Sequence, residues 1–537
     1  MSDRQPIFIL PENMERTVGK DAQRNNILAA KLVSDAVKTT LGPKGMDKML
    51  VDGVGDITIT NDGVTILEKM EIEHPAAKMM VEISKTQEQE VGDGTTTAVM
   101  LAGKLLENAE KLLDMKIHPT VITKGYTLAA KKAREFLDML SIDVTRDNEE
   151  ILKSVVRTAM TGKAAESVKE KFAEIIVAAV KQVADNDSVD LDTIKIAKNK
   201  SSGVEKTQLI KGIIIDKERA NIDMPAQVNG AHILLFSEAL ELKNPDETKI
   251  SISSPSQLQE FIDREERLLK EMVNQILRSG ANVIFCQKGI DDVVQYYLAK
   301  ERIYGVRRVA KSDMENLARA TGGKIVSNLK EISKHDLGRA QLVEEVKHGE
   351  EKMTSVQGCE NPKALTILIH GGSEHVMDEM ERAIKDGLGD VASVIKDRKV
   401  VAGAGAIEME LSKRLREFSN SLPGREQLAV REFADALEFI PLTLSENAGL
   451  DPIDILTELK ARHDNNEVHA GINIFTNKVE DAFAQGIIEP VRIKQQAISS
   501  ACEVAVMILR IDDVLASKSA KGSRNPSMNP GSYGGMD

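Results

Sequence analysis

The sequence predicts a multidomain protein of α and α/β class, with mostly helical flanks around a central α/β stretch. Three observations predict it. The chain has 537 residues, more than one ordinary core holds and enough for two to four units of roughly 100–200 residues each. Apolar residues recur at helical spacing through the first 185 or so positions and again after Gly371-Gly372. Between these flanks, short β-branched runs alternate with amphipathic segments, the pattern of strands and helices packed in layers.

Across 22–41, Leu28, Leu32, Val33, Ala36, Val37 and Leu41 form one apolar stripe, and Gly42-Pro43 stops that helix. Met49-Leu50-Val51, the turn Asp52-Gly53 and Ile57-Thr58-Ile59-Thr60 read as a strand pair. The turn Asn61-Asp62-Gly63 follows, and helical period resumes near Val64. Val91-Gly92-Asp93-Gly94-Thr95-Thr96-Thr97 then opens a long helix carrying Ala98, Val99, Leu101, Leu105 and Leu112. Further helices are expected over 121–140 and 165–185. After Lys200, the runs Gly212-Ile213-Ile214-Ile215 and Ile233-Leu234-Leu235 read as buried strands. Strands at 282–286, 306–309 and 324–326 alternate with helices at 291–300 and 312–320, which reads as a parallel α/β unit. Before it, Ser254-Pro255-Ser256-Gln257 has capping-box spacing with Pro at the first helical position. Core packing is the simplest use of the stripe that follows, Leu258, Phe261, Ile262, Leu268, Leu269, Met272, Val273 and Ile276. Helices are expected from 373 to about 516, and the Gly-, Ser-, Pro- and Asn-rich remainder, 517–537, reads as a disordered tail.

Composition narrows the function. Lys and Arg number 71 against 84 Asp and Glu, a formal charge of −13, which argues against a surface for the nucleic-acid backbone. With no Trp, 5 Tyr and 11 Phe, stacked-base readers are also disfavoured. No apolar run approaches the roughly 18–20 residues that cross a bilayer, so no membrane partner is expected. Cys286, Cys359 and Cys502 lie far apart without a CxxC, and no signal segment opens the chain, so a cytoplasmic location without disulfides is expected. The nine His form no HExxH, and His370 and His375 would face different sides of a helix, so no structural metal site is expected.

The strongest chemical signal is Gly92-Asp93-Gly94-Thr95-Thr96-Thr97. Glycines permit close backbone approach, free N–H groups at a helix start attract phosphate oxygens, and three hydroxyls add hydrogen bonds. Asp93 would repel a bare anion but suits Mg²⁺ shared with phosphates. The bland reading is a helix cap. Leu41-Gly42-Pro43-Lys44-Gly45 sits where Gly and Pro end helices anyway. It completes no P-loop, and neither does Thr161-Gly162-Lys163, which has Arg157 in place of the first Gly. Gly403-Ala404-Gly405-Ala406-Ile407-Glu408 is not a full G-x-G-x-x-G. Asp62 and Asp386 are carboxylates in turn-like or Gly-flanked sequence, and a pair of them can orient an attacking water.

Several blocks together resemble the group II chaperonins, the archaeal thermosome and its eukaryotic cytosolic counterpart. They are Thr40-Leu41-Gly42-Pro43-Lys44-Gly45-Met46-Asp47-Lys48, Thr60-Asn61-Asp62-Gly63-Val64-Thr65-Ile66-Leu67, His74-Pro75-Ala76-Ala77-Lys78, the Gly92 to Thr97 loop, Cys286-Gln287-Lys288-Gly289-Ile290-Asp291-Asp292 and Glu446-Asn447-Ala448-Gly449-Leu450-Asp451. The resemblance runs from about Leu10 to about Asp513. It implies a mostly helical equatorial domain from both chain ends (1–145 and 403–516), a small intermediate domain (146–213 and 369–402), and an inserted α/β apical domain (214–368) with a helical protrusion near 244–271. It also implies an ATP-dependent chaperone: identical or paralogous subunits in a double ring enclose unfolded polypeptides, and hydrolysis closes a built-in lid.

By the same resemblance Asp93 would ligate Mg²⁺, and Leu41, Gly42, Pro43, Gly94, Thr95, Thr96 and Thr97 would surround the phosphates of ATP. Asp62 and Asp386 would position the hydrolytic water. Lys163, beside Gly162, would sense the γ-phosphate, and Gly405, Glu489 and Lys494 would border the base and ribose. The chain departs from the family at Ala404, inside what is often a run of glycines, and at His370, where Arg is common. A phosphotransferase built on the same loop would need an acid/base cluster for a small substrate, and the sequence shows none.

Overall fold

The computed structural model describes residues 14–163, 168–185, 188–200, 203–242, 254–348, 351–360 and 362–517. Three large apolar cores organise them. In the first, helices Lys20–Lys38, Pro75–Val91, Thr95–Asp114 and Pro119–Leu140 meet Ala406–Asn420, Glu426–Leu437 and Val491–Leu509 from the far end of the chain. Thr95–Asp114 is central: it packs against Lys20–Lys38, Pro75–Val91, Glu426–Leu437 and Val491–Leu509, and Ala98, Val99, Leu105 and Leu106 are fully buried. The strand pair expected before Asn61 forms, Lys48–Val51 running antiparallel to Ile57–Thr60.

The chain ends join. Strand Met14–Val18 pairs antiparallel with Asp513–Ser517, and the Arg16 guanidinium reaches the Asp513 carboxylate at 2.6 Å. Helix was expected to about 516, but it ends at Leu509 and residue 517 belongs to this closing strand. Further short strands interrupt the expected helical stretch: Lys399–Ala402 lies between Ile142–Asp143 and Ile488–Pro490, and Ala470–Asn473 pairs with Lys478–Asp481. The rest of the expected tail, 518–537, lies outside the described residues.

In the second core, helices Glu149–Met160, Lys169–Val183 and Glu374–Asp397 cover a sheet of Ile194–Lys200, Leu365–Gly371 and Gln208–Ile210. Divides expected at 213 and 368 fall inside strands Gly212–Ile215 and Leu365–Gly371. Both strands are buried along their whole length, so nothing local marks a break. His370 is a buried strand residue whose backbone N–H donates to Thr207 Oγ1 at 3.2 Å. His375 is in the helix that follows, so the two never shared one.

The third unit is a seven-stranded sheet ordered Tyr304–Val306, Val283–Cys286, Gln227–Phe236, Gly338–His348, Glu351–Gln357, Gly212–Ile215, with Ile325–Val326 on Gln227–Phe236. Both faces are covered, which explains the unbroken apolar runs. Ile233, Leu235, Val283 and Phe285 face helix Lys311–Thr321, whereas Leu234, Phe236, Ile284 and Cys286 face Pro255–Ser279 and Asp292–Lys300. The parallel reading holds among Tyr304–Val306, Val283–Cys286, Gln227–Phe236 and Ile325–Val326. The other strands are antiparallel, so the sheet is mixed. The hairpin that makes it so carries Glu344, Glu345 and Lys347 among its apolar residues, which blurs its period.

Helix Pro255–Ser279 is capped as expected: Ser254 Oγ accepts from Gln257 N at 3.3 Å. Its second half is core, with Leu269, Val273 and Ile276 buried, but Ile262 (46%) and Leu268 (50%) are exposed. Core packing therefore accounts for only part of the stripe. Residues 244–253 of the expected protrusion lie outside the described residues. The three cysteines are free and buried. No described helix is long and apolar enough to cross a membrane.

Candidate functional site

A cavity of about 520 Å³ lies where the first and second cores meet. One end of it is built by a sharp backbone reversal. Helix Pro75–Val91 stops at Gly92 (φ 79°), and Gly94 (φ 78°) stands before helix Thr95–Asp114. Both angles are left-handed, a conformation that glycine adopts at no steric cost. No side chain caps the second helix, so the N–H groups of its first turn and its positive dipole end are left for a ligand. The buried Gln87 side chain fixes the loop, donating to the Asp93 carbonyl at 2.9 Å and the Ile493 carbonyl at 3.3 Å.

Opposite this terminus lies the turn Leu41-Gly42-Pro43, held by Asn447 Nδ2 donating to the Leu41 carbonyl at 2.9 Å. Gly162 packs on it so closely that a β-carbon there would collide with the Pro43 backbone. That contact brings Lys163 to the cavity, where it pairs with the Asp386 carboxylate from helix Glu374–Asp397. Burial alone would lower the Lys163 ammonium, but Asp386 and Asp93 outweigh it and hold it above its ordinary value. Asp386 is pushed up to about 7 by burial, with Lys163 opposing and Asp93 adding to the rise. Asp62 is both helix cap and cavity wall: its Oδ2 accepts from Thr65 N at 2.9 Å and Thr65 Oγ1 at 2.6 Å.

At the other end, Lys494 lies between the carboxylates of Glu408 (2.8 Å) and Glu489 (2.5 Å). Burial raises Glu489 despite the ammonium beside it. Gly405 lines this end at φ 78°, next to Ala404 at φ 57°.

The structure brings together every residue singled out from the sequence: Leu41, Gly42, Pro43, Asp62, Asp93, Gly94, Thr95, Thr96, Thr97, Gly162, Lys163, Asp386, Gly405, Glu489 and Lys494 all line this cavity. Sequence reasoning missed Glu88, Glu408 and Asp390. Glu88 is pushed up to about 8 by burial and by Asp386, Asp62 and Asp93. Asp390 is buried, and burial, then Asp93 and Asp386, raise it well above the carboxylate range. The available signal was an acidic residue four positions beyond Asp386 inside the run Gly387-Leu388-Gly389-Asp390-Val391-Ala392. Among the described residues, no three His, Cys, Asp or Glu side chains are grouped to hold a metal ion by themselves.

Comparison with known proteins identifies the family. Residues 33–519 match the model of the TCP-1/cpn60 chaperonin family. The chain is 56% identical over 537 residues to a thermosome subunit beta of Archaeoglobus fulgidus, covering 99% of this chain and 98% of that protein. A thermosome subunit alpha of the same organism is 52% identical over 531 residues, 98% of this chain and 97% of its own length. A thermosome subunit of Pyrococcus horikoshii is 54% identical over 533 residues, with 98% and 97% covered. With the family match spanning most of the chain and these identities running almost end to end, the chain belongs to the TCP-1/cpn60 chaperonin family.

Proposed function

We propose that this chain is a subunit of a group II chaperonin, an ATP-dependent molecular chaperone whose double ring encloses unfolded polypeptides and closes a built-in lid as ATP is hydrolysed. The observation that carries the reading is the cavity itself. Its free helix terminus and Asp93 come from the first core, and Lys163 with Asp386 from the second. Such an arrangement is complete only when the two cores are together, which couples hydrolysis to their movement.

In this reading the first turn of helix Thr95–Asp114 and the turn Leu41-Gly42-Pro43 bind the phosphates of ATP, and Gly405, Glu489 and Lys494 border the base and ribose. Asp62 and Asp386 hold the attacking water, and Asp386, pushed up to about 7, is suited to take its proton near neutral pH. Lys163 exchanges part of its pairing with Asp386 for the γ-phosphate. The residues fit Mg²⁺: Asp62, Glu88, Asp386 and Asp390 line the space around Asp93, burial and then Asp386, Asp62 and Asp93 push Glu88 up to about 8, and Asp93 stands at the helix terminus to hold the ion. When bound, Mg²⁺ would neutralise charge on the phosphate oxygens.

The first core corresponds in this proposal to the equatorial domain, the second to the intermediate domain, and the seven-stranded sheet with helix Pro255–Ser279 to the apical domain and the base of its protrusion. Free, buried thiols suit a cytoplasmic location. Since Archaeoglobus fulgidus has both alpha and beta subunits, a paralogous partner in the ring is a natural expectation. Negative-stain electron microscopy of the purified chain with and without Mg·ATP tests the proposal. Stacked rings whose ends close with nucleotide are expected; a chain that stays monomeric with ATP, alone and with its paralogue, would sink it.

A further inference from the structure

Asp390 has no part in the chemistry above, yet its placement demands a partner. It lies one turn beyond Asp386 on helix Glu374–Asp397 and lines the cavity. The residue is only 2% exposed, and among the described residues its Oδ1 has no hydrogen-bond partner. The charged groups that act on it are Asp93 foremost, then Asp386, Lys163 and Glu489. Three of these are carboxylates, and the one cation, Lys163, already pairs with Asp386. A buried carboxylate oxygen without a donor is costly. The flanking Leu388 and Val391 are buried and apolar, so an aliphatic side chain would suit the same position without that cost.

The neighbouring residue fixes where this turn sits. A β-carbon on Gly389 would come within 3.2 Å of the Val91 carbonyl oxygen, so the helix lies directly against the loop that carries Asp93. We propose that Asp390 is a second protein ligand of the divalent cation, sharing it with Asp93 across the seam between the first and second cores. Mg²⁺ and Mn²⁺ are hard ions that take one or two carboxylates and complete their shells with phosphate oxygens and water. An ion held this way ties helix Glu374–Asp397 to the phosphate loop. The inference rests on the metal–nucleotide reading of the cavity, and its test keeps the two apart.

Mn²⁺ titrated into the nucleotide-free full chain, followed by the electron paramagnetic resonance of the free ion, compares wild type with Asp390→Asn and Asp390→Val. Both variants should lose roughly tenfold or more in Mn²⁺ affinity. Thermal unfolding supplies a second readout. At one Mn²⁺ concentration the unfolding temperature of the wild type should rise more than that of either variant, and in EDTA Asp390→Val should unfold no lower than wild type. Equal Mn²⁺ affinity in all three proteins, or a wild type that takes up no Mn²⁺, overturns the assignment. Binding of Mg·ATP to the wild type, measured on the same preparations, checks the nucleotide reading separately. Its absence from the wild type would sink that reading while the Mn²⁺ comparison still decides the role of Asp390.

Discussion

The two ends of the cavity each bury a lysine, and they use it differently. At the end proposed for the base, Lys494 is enclosed by Glu408 and Glu489, so charge is nearly balanced between one cation and two carboxylates from the first core and the strand Ile488–Pro490. At the end proposed for the phosphates, Lys163 pairs with Asp386 among the described residues, while Asp62, Asp93, Asp390 and Glu88 line the same space. These groups come from two cores. A lysine enclosed by two carboxylates is a fixed floor, whereas a larger surplus of carboxylates divided between two cores awaits a cation and reports on whether the cores are together.

The largest expected effect belongs to the phosphate end. Asp386→Ala should lower the turnover number by about 10²–10⁴, with nucleotide affinity changed only a few-fold, because metal and phosphate contacts remain. Steady-state turnover set beside equilibrium nucleotide binding checks it. Affinity falling in step with turnover would show that Asp386 holds the nucleotide instead of the water. At the base end the damage should be to stability. Lys494→Met leaves Glu408 and Glu489 buried without their cation, a loss of about 3–5 kcal/mol by analogy with broken buried pairs. Lys163→Met should cost less, since its partner Asp386, already pushed up to about 7, can take a proton. Denaturant unfolding of the two variants orders them, and the reverse order would break the contrast between the ends.

How much of this was legible in the sequence follows the same division between local and distant. The loop Gly92 to Thr97 could be read because everything it needs is contiguous: two left-handed positions, a helix start and hydroxyls. Asp62 was legible as a turn residue, and it is one, but its second role as a cavity wall needed neighbours from elsewhere. Lys163 and Asp386 are 223 positions apart, and only the family resemblance joined them. Asp390 was missed because a lone acidic residue on an apolar helix stripe says nothing until the loop it faces is known. The fold divides likewise. Helices with a sustained stripe and strands with unbroken apolar runs were readable. Strands Met14–Val18 and Asp513–Ser517 exist only because they pair with each other, and no local pattern announces a partner at the other end of the chain.

The surplus charge at the phosphate end should also appear as a pH dependence. Glu88 is pushed up to about 8 from an ordinary value of 4.5. Between those values the folded, nucleotide-free protein keeps a proton that the unfolded chain has released. Stability therefore falls as pH rises from about 4.5 to about 8 and levels off above it. Asp386 contributes with the same sign up to about pH 7. Glu88→Gln should flatten the plot of unfolding temperature against pH over this window. Superimposable plots for wild type and variant would mean that neither burial nor the nearby carboxylates raise Glu88 in the folded chain.

The smallest effect probes the fixed floor. Ala404 holds φ 57°, a left-handed conformation that costs a residue with a β-carbon about 1–2 kcal/mol. Its methyl offsets part of that cost by packing with Ala402, Ala406 and Ala482. Ala404→Gly relieves the backbone, loses the methyl contacts and gives the unfolded chain more freedom, so a net gain of roughly 0.5 kcal/mol is expected. Turnover should stay within a factor of about two, since the base end takes no part in moving the proton. Differential scanning calorimetry of the nucleotide-free chain and an ATPase assay decide it together. Lower stability would mean that methyl packing outweighs the strain. Altered turnover at unchanged stability would mean that the base end is not a passive floor, and the contrast between the two ends would have to be redrawn.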